Sequence, residues 1–246
     1  MTDAATAALL REYAARYETA AFLEGDPSWF MHQVSGNLNQ EMMAFLAMAL
    51  SYGSRAQFLP KIQWLLDSAE GEPDEWVRSG AYASVLEAGD RECFYRLYNK
   101  GLMRAFLDAC REMLLSYGSI GEFVPKGCAI EVLDALCAFF SARGLSVIVP
   151  KDTTSSCKRL CMFLRWMVRD GSPVDLGLWA HKIDKRSLIM PLDTHVLTEA
   201  GKLGLINSRC ASMSAARRLT ASMAEVFPED PLKGDFALFG YGVNHE

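Results

Sequence analysis

Lys158 and Asp193 are the two side chains of this 246-residue chain whose types and settings could do chemistry together. Lys158 opens an apolar helical run that extends from Cys157 to Arg169. Asp193 stands at the start of a later helix, in Pro191-Leu192-Asp193-Thr194-His195-Val196. A lysine amine with a carboxylate partner is the minimal equipment for Schiff-base catalysis. The amine must be neutral to attack, yet a free lysine is protonated at pH 7. A helix N-terminus disfavours a further positive charge, Arg159 next door pushes the same way, and partial burial would add to both. Each residue also has an ordinary reading, Lys158 as a solvated lysine and Asp193 as a helix N-cap. Capping and chemistry are compatible, because a cap fixes the carboxylate in place. Thr194 can supplement the cap and His195 can bond locally; neither is given a chemical role.

The Pro191–Val196 string resembles the "Val-Asp-Thr-His" element of the helix-hairpin-helix DNA glycosylases, the superfamily of endonuclease III and the archaeal 8-oxoguanine glycosylases. Taken with Cys157–Arg169 and with Asp230-Pro231-Leu232-Lys233-Gly234-Asp235-Phe236-Ala237-Leu238-Phe239-Gly240, it looks closer still to an uncharacterised bacterial family distantly related to that superfamily. The resemblance is specific between Cys157 and Leu205 and between Pro228 and Val243. Elsewhere it is a similar order of helices. It implies an all-α fold of two helical lobes with a cleft between them. Residues 36–186 would form the central lobe with a modified hairpin, and 1–35 with 187–246 the second lobe. It also implies a base-excision-repair glycosylase with β-lyase activity. Lys158 would attack C1′, and Asp193 would stabilise the charge that develops on the sugar. The base would be an oxidised purine such as 8-oxoguanine. The partner would be double-stranded DNA carrying a damaged base, handled by a monomer without a cofactor. The superfamily's four-cysteine iron–sulfur loop is absent, since Cys210 is the only cysteine beyond Cys161. No metal is expected.

The hairpin departs from the family. The glycosylase "Leu-Pro-Gly-Val-Gly" holds a DNA phosphate on backbone N–H groups. Here the stretch is Val149-Pro150-Lys151-Asp152-Thr153-Thr154-Ser155-Ser156, without either glycine. The hydroxyls of Thr153, Thr154, Ser155 and Ser156, the helix start behind them and Lys151 are the substitute phosphate ligands. A Ser/Thr-rich helix cap with no ligand is the competing reading. Arg165 lies close to one helical stripe with Lys158 and is a further DNA candidate; an internal ion pair competes with that role. Asp235, Phe239 and Tyr241 are candidates for the base pocket, because the family's last helix borders it.

Composition narrows the alternatives. Half of the chain is hydrophobic and 22% is charged, as in a globular protein. The longest apolar stretch, Met42 to Leu50, is too short to span a bilayer. Seven scattered cysteines and no export signal read as reduced thiols of the cytoplasm. Net charge is −5, which counts against nucleic acid. It is uneven, however: from Arg143 to Arg186, nine basic residues face four acidic ones, leaving −10 on the remainder. A basic patch on an acidic body can still hold a phosphate backbone. Two other functions therefore stand beside the glycosylase. One is a non-catalytic helical protein that binds nucleic acid or a partner. The other is a hydrolase of small nucleosides.

The elements that must position these residues read as helices joined by short connections. They are expected over Ala4–Phe22, Asn39–Tyr52, Gln57–Ser68, Pro73–Leu86, Cys93–Tyr98, Gly101–Tyr117, Ala129–Ala142, Ser155–Arg169, Leu176–Ile183, Thr194–Leu203, Ala211–Phe227 and Pro231–Gly240. The lone β-branched run, Ser146–Val149, is too short to build a sheet.

Overall fold

Apolar residues at helical spacing become buried faces throughout the chain. The computed structural model describes residues 2–208 and 210–245. Its helices are α1 (Ala4–Tyr17), α2 (Asn37–Leu50), α3 (Arg55–Ser68), α4 (Pro73–Ser79), α5 (Lys100–Tyr117), α6 (Ile120–Phe123), α7 (Ala129–Ser141), α8 (Lys158–Val168), α9 (Thr194–Lys202), α10 (Met213–Val226) and α11 (Lys233–His245). The fold class is mostly helical, as expected. Two expected helices are corrected. Cys93–Tyr98 is a small antiparallel hairpin, β1 (Cys93–Tyr95) with β2 (Tyr98–Asn99). Arg96 turns it in the left-handed region, at φ 51°, and Phe94, Tyr95 and Tyr98 are buried. Three aromatics in six residues favour an extended backbone over a helix.

Leu176–Ile183 is the second correction, because it forms turns. Its backbone N–H groups serve another helix. Leu176 and Gly177 donate to the Trp166 carbonyl at 2.8 and 3.2 Å, and Trp179 donates to the Met167 carbonyl at 2.6 Å. The segment thus satisfies the free carbonyls at the end of α8. Gly177 makes the close approach possible: it has φ +66°, and a Cβ there would lie 2.8 Å from the Asp170 Cα.

The chain divides into two compact units. One comprises Gly25–Pro125 and Ala135–Lys151. Its axis is α2, whose residues from Glu41 to Leu50 are all buried. A helix apolar on every side belongs at the centre of a core. The Phe45 ring lies 5.8 Å from Phe106 and 5.5 Å from Phe140. The buried Glu41 carboxylate accepts the N–H groups of Ile120 and Gly121, at 2.8 and 2.9 Å, at the start of α6.

The other unit comprises Met1–Glu24, Lys126–Asp134 and Asp152–Glu246. Residues 152–186, read from the sequence as part of the central lobe, group here with the chain ends. The cause is a buried ion network on α8. Arg169, 1% exposed, bonds Asp230 at 2.8 Å, Glu18 at 2.6 Å and Asp175. Arg165, 3% exposed, bonds Asp175 at 3.2 Å and Asp235. Both guanidiniums lie over the Phe236 ring, with their central carbons 4.5 and 5.3 Å from its centre. Burial works against the charge on Arg169, but Asp230, Asp175 and Glu18 hold its pKa above the usual arginine value. Burial pushes the Asp175 carboxyl up, and the two arginines oppose that rise. Removing one member leaves buried partners uncompensated. Arg169→Leu is expected to lower unfolding stability by about 3–5 kcal/mol, read as a fall in the urea midpoint with little change in slope. A loss under about 1 kcal/mol would mean that the network contributes little.

Candidate functional site

Lys158 and Asp193 come together. Lys158 Nζ lies 2.7 Å from Asp193 Oδ2, and the two side chains are 39% and 32% exposed. Lys158 is the first residue of α8, as its place in the first turn required. The preceding Cys157 directs the chain into the helix in the left-handed region, at φ 48°, with its side chain buried. That conformation is unfavourable for a residue with a Cβ, and packing of the thiol beneath the loop holds it. Cys157 Sγ reaches the Asp152 carbonyl at 3.5 Å, and Cys161 Sγ reaches that of Ser156 at 3.5 Å. Burial raises the Cys161 thiol above its usual range, as suits a packing residue. Among the described residues, no group of three or more His, Cys, Asp or Glu side chains is arranged to hold a metal ion.

Asp193 divides its work between its two oxygens. Oδ1 accepts the Val196 N–H at 2.8 Å, capping α9, and Oδ2 faces Lys158. Burial opposes ionisation of this carboxyl. The charge and hydrogen bond of Lys158, the Val196 N–H and the charge of His195 outweigh it, and the pKa falls below the ordinary carboxylate range. A second carboxyl stands within electrostatic reach. Burial lifts Asp235 above the ordinary range; Arg165 opposes the rise, and the negative charge of Asp193 reinforces it. The site therefore pairs an exposed cation with a low-pKa acid, and sets a more shielded, higher-pKa acid behind them. Such an array can hold an amine in place, exchange a proton with it and present negative charge to a cationic transition state.

The other candidates separate into groups. Arg165 is withdrawn as a DNA ligand, because its guanidinium is buried and committed to Asp175 and Asp235. The basic surplus between Arg143 and Arg186 is largely neutralised in the same way. Arg169 pairs with Glu18 and Asp230, Arg165 with Asp235, Arg143 with Glu112, and Lys158 with Asp193, all carboxylates from outside the segment. Thr153 Oγ1 donates to Asp134 at 2.8 Å, and Thr154 Oγ1 to Asp152 at 2.5 Å. Ser155 forms a bridge with Ser212 and accepts the Cys157 N–H at 3.4 Å. None of these side chains caps α8, whose N-cap is Cys157 without a side-chain bond. Lys151, Thr154 and Ser155 are exposed, and Ser156 is half-buried. In the proposed base pocket, Asp235 lies toward the Lys158 site. The Phe239 ring packs instead on Tyr17 and Phe22, and Tyr241 on Tyr13, against α1.

Sequence reasoning missed Glu199. It is buried on α9, with Oε1 on Lys202 at 2.8 Å and Oε2 without a hydrogen-bond partner. Its position one turn beyond His195 was the available signal. The arginine partners Asp175, Asp230 and Glu18 gave no signal, since pairing over 6, 61 and 151 residues follows no sequence period.

The chain belongs to the family described as "Protein of unknown function (DUF2400)", whose model matches residues 26–244. No curated protein matches it, and no solved structure does.

The low pKa of Asp193 sets a pH dependence. A carboxylate depressed in the folded state adds stability above its unfolded pKa, and that stability is lost as pH falls through the folded value. Lys158→Gln removes the principal cause of the depression. The Asp193 carboxyl, followed by carbon NMR, is expected to titrate at higher pH in this variant than in the wild type. The stability difference between the two proteins should be full at neutral pH and vanish in acid. An unmoved titration would mean that the pair does not persist in solution.

Proposed function

We propose that this member of DUF2400 is a base-excision-repair DNA glycosylase with β-lyase activity, acting through Lys158. The observation that carries the reading is the 2.7 Å contact between Lys158 Nζ and Asp193 Oδ2 on a partly exposed surface. Attack requires the amine to be free of its proton, and Asp193 Oδ2 is the acceptor in contact. The neutral amine forms a bond to C1′ of the damaged nucleotide. The bond from C1′ to the base breaks, and its electron pair leaves with the base, which takes up a proton. Opening of the sugar ring gives an imine between Lys158 and C1′. Loss of a 2′ proton then expels the 3′ phosphate, and water releases the lysine. Asp193 passes the lysine proton on to the departing base and, ionised again, stabilises the oxocarbenium character of the first step. Its second oxygen, fixed by the Val196 N–H, keeps the carboxylate from reorganising during that step. An oxidised purine such as 8-oxoguanine is the proposed base, on the strength of the sequence resemblance.

One observation favours a second reading, a hydrolase of small nucleosides. The hydroxyls of Thr153 and Thr154, proposed as phosphate ligands, are spent on the carboxylates of Asp134 and Asp152. Anionic neighbours weaken a phosphate site. The same lysine and aspartate would then act on a substrate without a DNA backbone.

Borohydride reduction separates the readings. Wild-type protein with duplex DNA carrying 8-oxoguanine or an abasic site is expected to give a covalent cross-link, and Lys158→Gln to give none. Cross-linking that persists in the variant would assign the chemistry to another amine. Absence of cross-linking in the wild type, with base release from free nucleosides, would select the second reading.

Asp193→Asn separates cap from chemistry. Asparagine caps a helix about as well as aspartate, so the thermal midpoint should hold. It supplies no negative charge, so single-turnover excision should fall by about a hundredfold or more. A normal rate at an unchanged midpoint would reduce Asp193 to a structural cap.

A further inference from the structure

Along α10, away from the charges buried on α8, two hollows of 670 and 320 Å³ adjoin. Ile130, Arg217 and Ala221 line both, so they form one groove. Its floor is apolar, with Leu188, Ile189 and Ala224 continuing from Ile130 and Ala221. Cations stand over it. Arg217 and Arg218 are exposed neighbours on α10, and Arg186, 57% exposed, lies at the far end. Arg186 pairs with Asp184. Arg218 bonds the Ser214 hydroxyl at 3.0 Å, and among the described residues no carboxylate pairs with either Arg217 or Arg218. Asp134, at the Thr153 end, is the acid in the lining, and it holds the Thr153 hydroxyl.

We propose that this groove docks an acidic amphipathic segment of a partner protein. Apolar side chains of the segment fill the floor, and its carboxylates pair with Arg217 and Arg218. Such a segment meets both demands of the groove at once. It covers apolar surface and neutralises two arginines, the basic residue type enriched at interfaces. A single nucleic-acid strand meets only the second. Its bases would need aromatic platforms, and no aromatic side chain lines either hollow. The inference is independent of the chemistry at Lys158.

A phage-displayed library of random twelve-residue peptides, selected on the full-length wild-type protein, tests it. Arg217→Glu/Arg218→Glu and Ala221→Trp serve as variants. The first reverses the charge at exposed positions, and the second fills the floor. Enriched peptides are expected to combine Asp or Glu with aliphatic residues. Synthesised with a fluorophore, they should bind the wild type, weaken at least tenfold in both variants, and weaken with added salt. Thermal midpoints of the variants confirm that they are folded. If one variant fails to fold, the other carries the comparison. No enrichment, enrichment without acidic residues, or equal binding by folded variants would overturn the proposal. A fluorescent single-stranded oligonucleotide provides the last arm. Its binding to the wild type and loss in Arg217→Glu/Arg218→Glu, without acidic peptides being selected, would assign the groove to nucleic acid and overturn the peptide reading.

Discussion

Two arginines on one face of α8 hold its unit together. Arg165 and Arg169 are four residues apart, so both point the same way from the helix. They gather Asp175 from the following loop, Asp230 from the turn before the last helix, Asp235 from that helix's first turn, and Glu18 from the end of the first helix. Ion pairs with this little exposure are costly to assemble, because every charge must leave water. Once formed they are demanding in geometry, and so they fix which segments meet. An apolar contact in the same place would tolerate sliding. Four carboxyls share two guanidiniums, and burial accordingly raises the pKa of Asp175 and Asp235.

The candidate site inherits its order from this network. Lys158 begins the helix that carries Arg165 and is capped by Arg169, and Asp235 contacts Arg165 while lying within the electrostatic field of Lys158 and Asp193. The lysine end of α8 is therefore anchored by charges two turns away. Asp193 is held separately, by its own helix. A carboxylate with one oxygen on a backbone N–H and the other on an amine has few rotamers left to sample. Preorganisation of that kind is what electrostatic catalysis requires. The resting contact is an ion pair, and in the proposed chemistry it must give up a proton before the amine can attack. Partial exposure of both side chains leaves room for a substrate to displace it.

The loop before α8 shows a different balance. Its threonine hydroxyls are taken up by nearby aspartates at the surface, and Cys157 takes the cap position in a left-handed conformation. A glycine would adopt that backbone without strain. Here packing of the thiol compensates instead. The threonine hydroxyls are thus bonded within the protein although the loop, like the Lys158 pair, reaches solvent.

The sequence by itself determined the helices, because the spacing of apolar residues and the capping residues act over a few positions. It placed Lys158 in a first turn and Asp193 at a cap, since both are local properties. It erred at Cys93–Tyr98, where buried aromatics made a hairpin, and at Leu176–Ile183, where the backbone bonds went to the end of α8. Tertiary structure alone decided which charges meet. Arg165 and Lys158 lie close to one helical stripe, yet one is buried among carboxylates and the other reaches solvent. The surplus of five positive charges between Arg143 and Arg186 is matched once Glu18, Glu112, Asp193, Asp230 and Asp235 fold onto it. Coulomb attraction depends on distance in space, and a chain does not carry that distance in its order of residues.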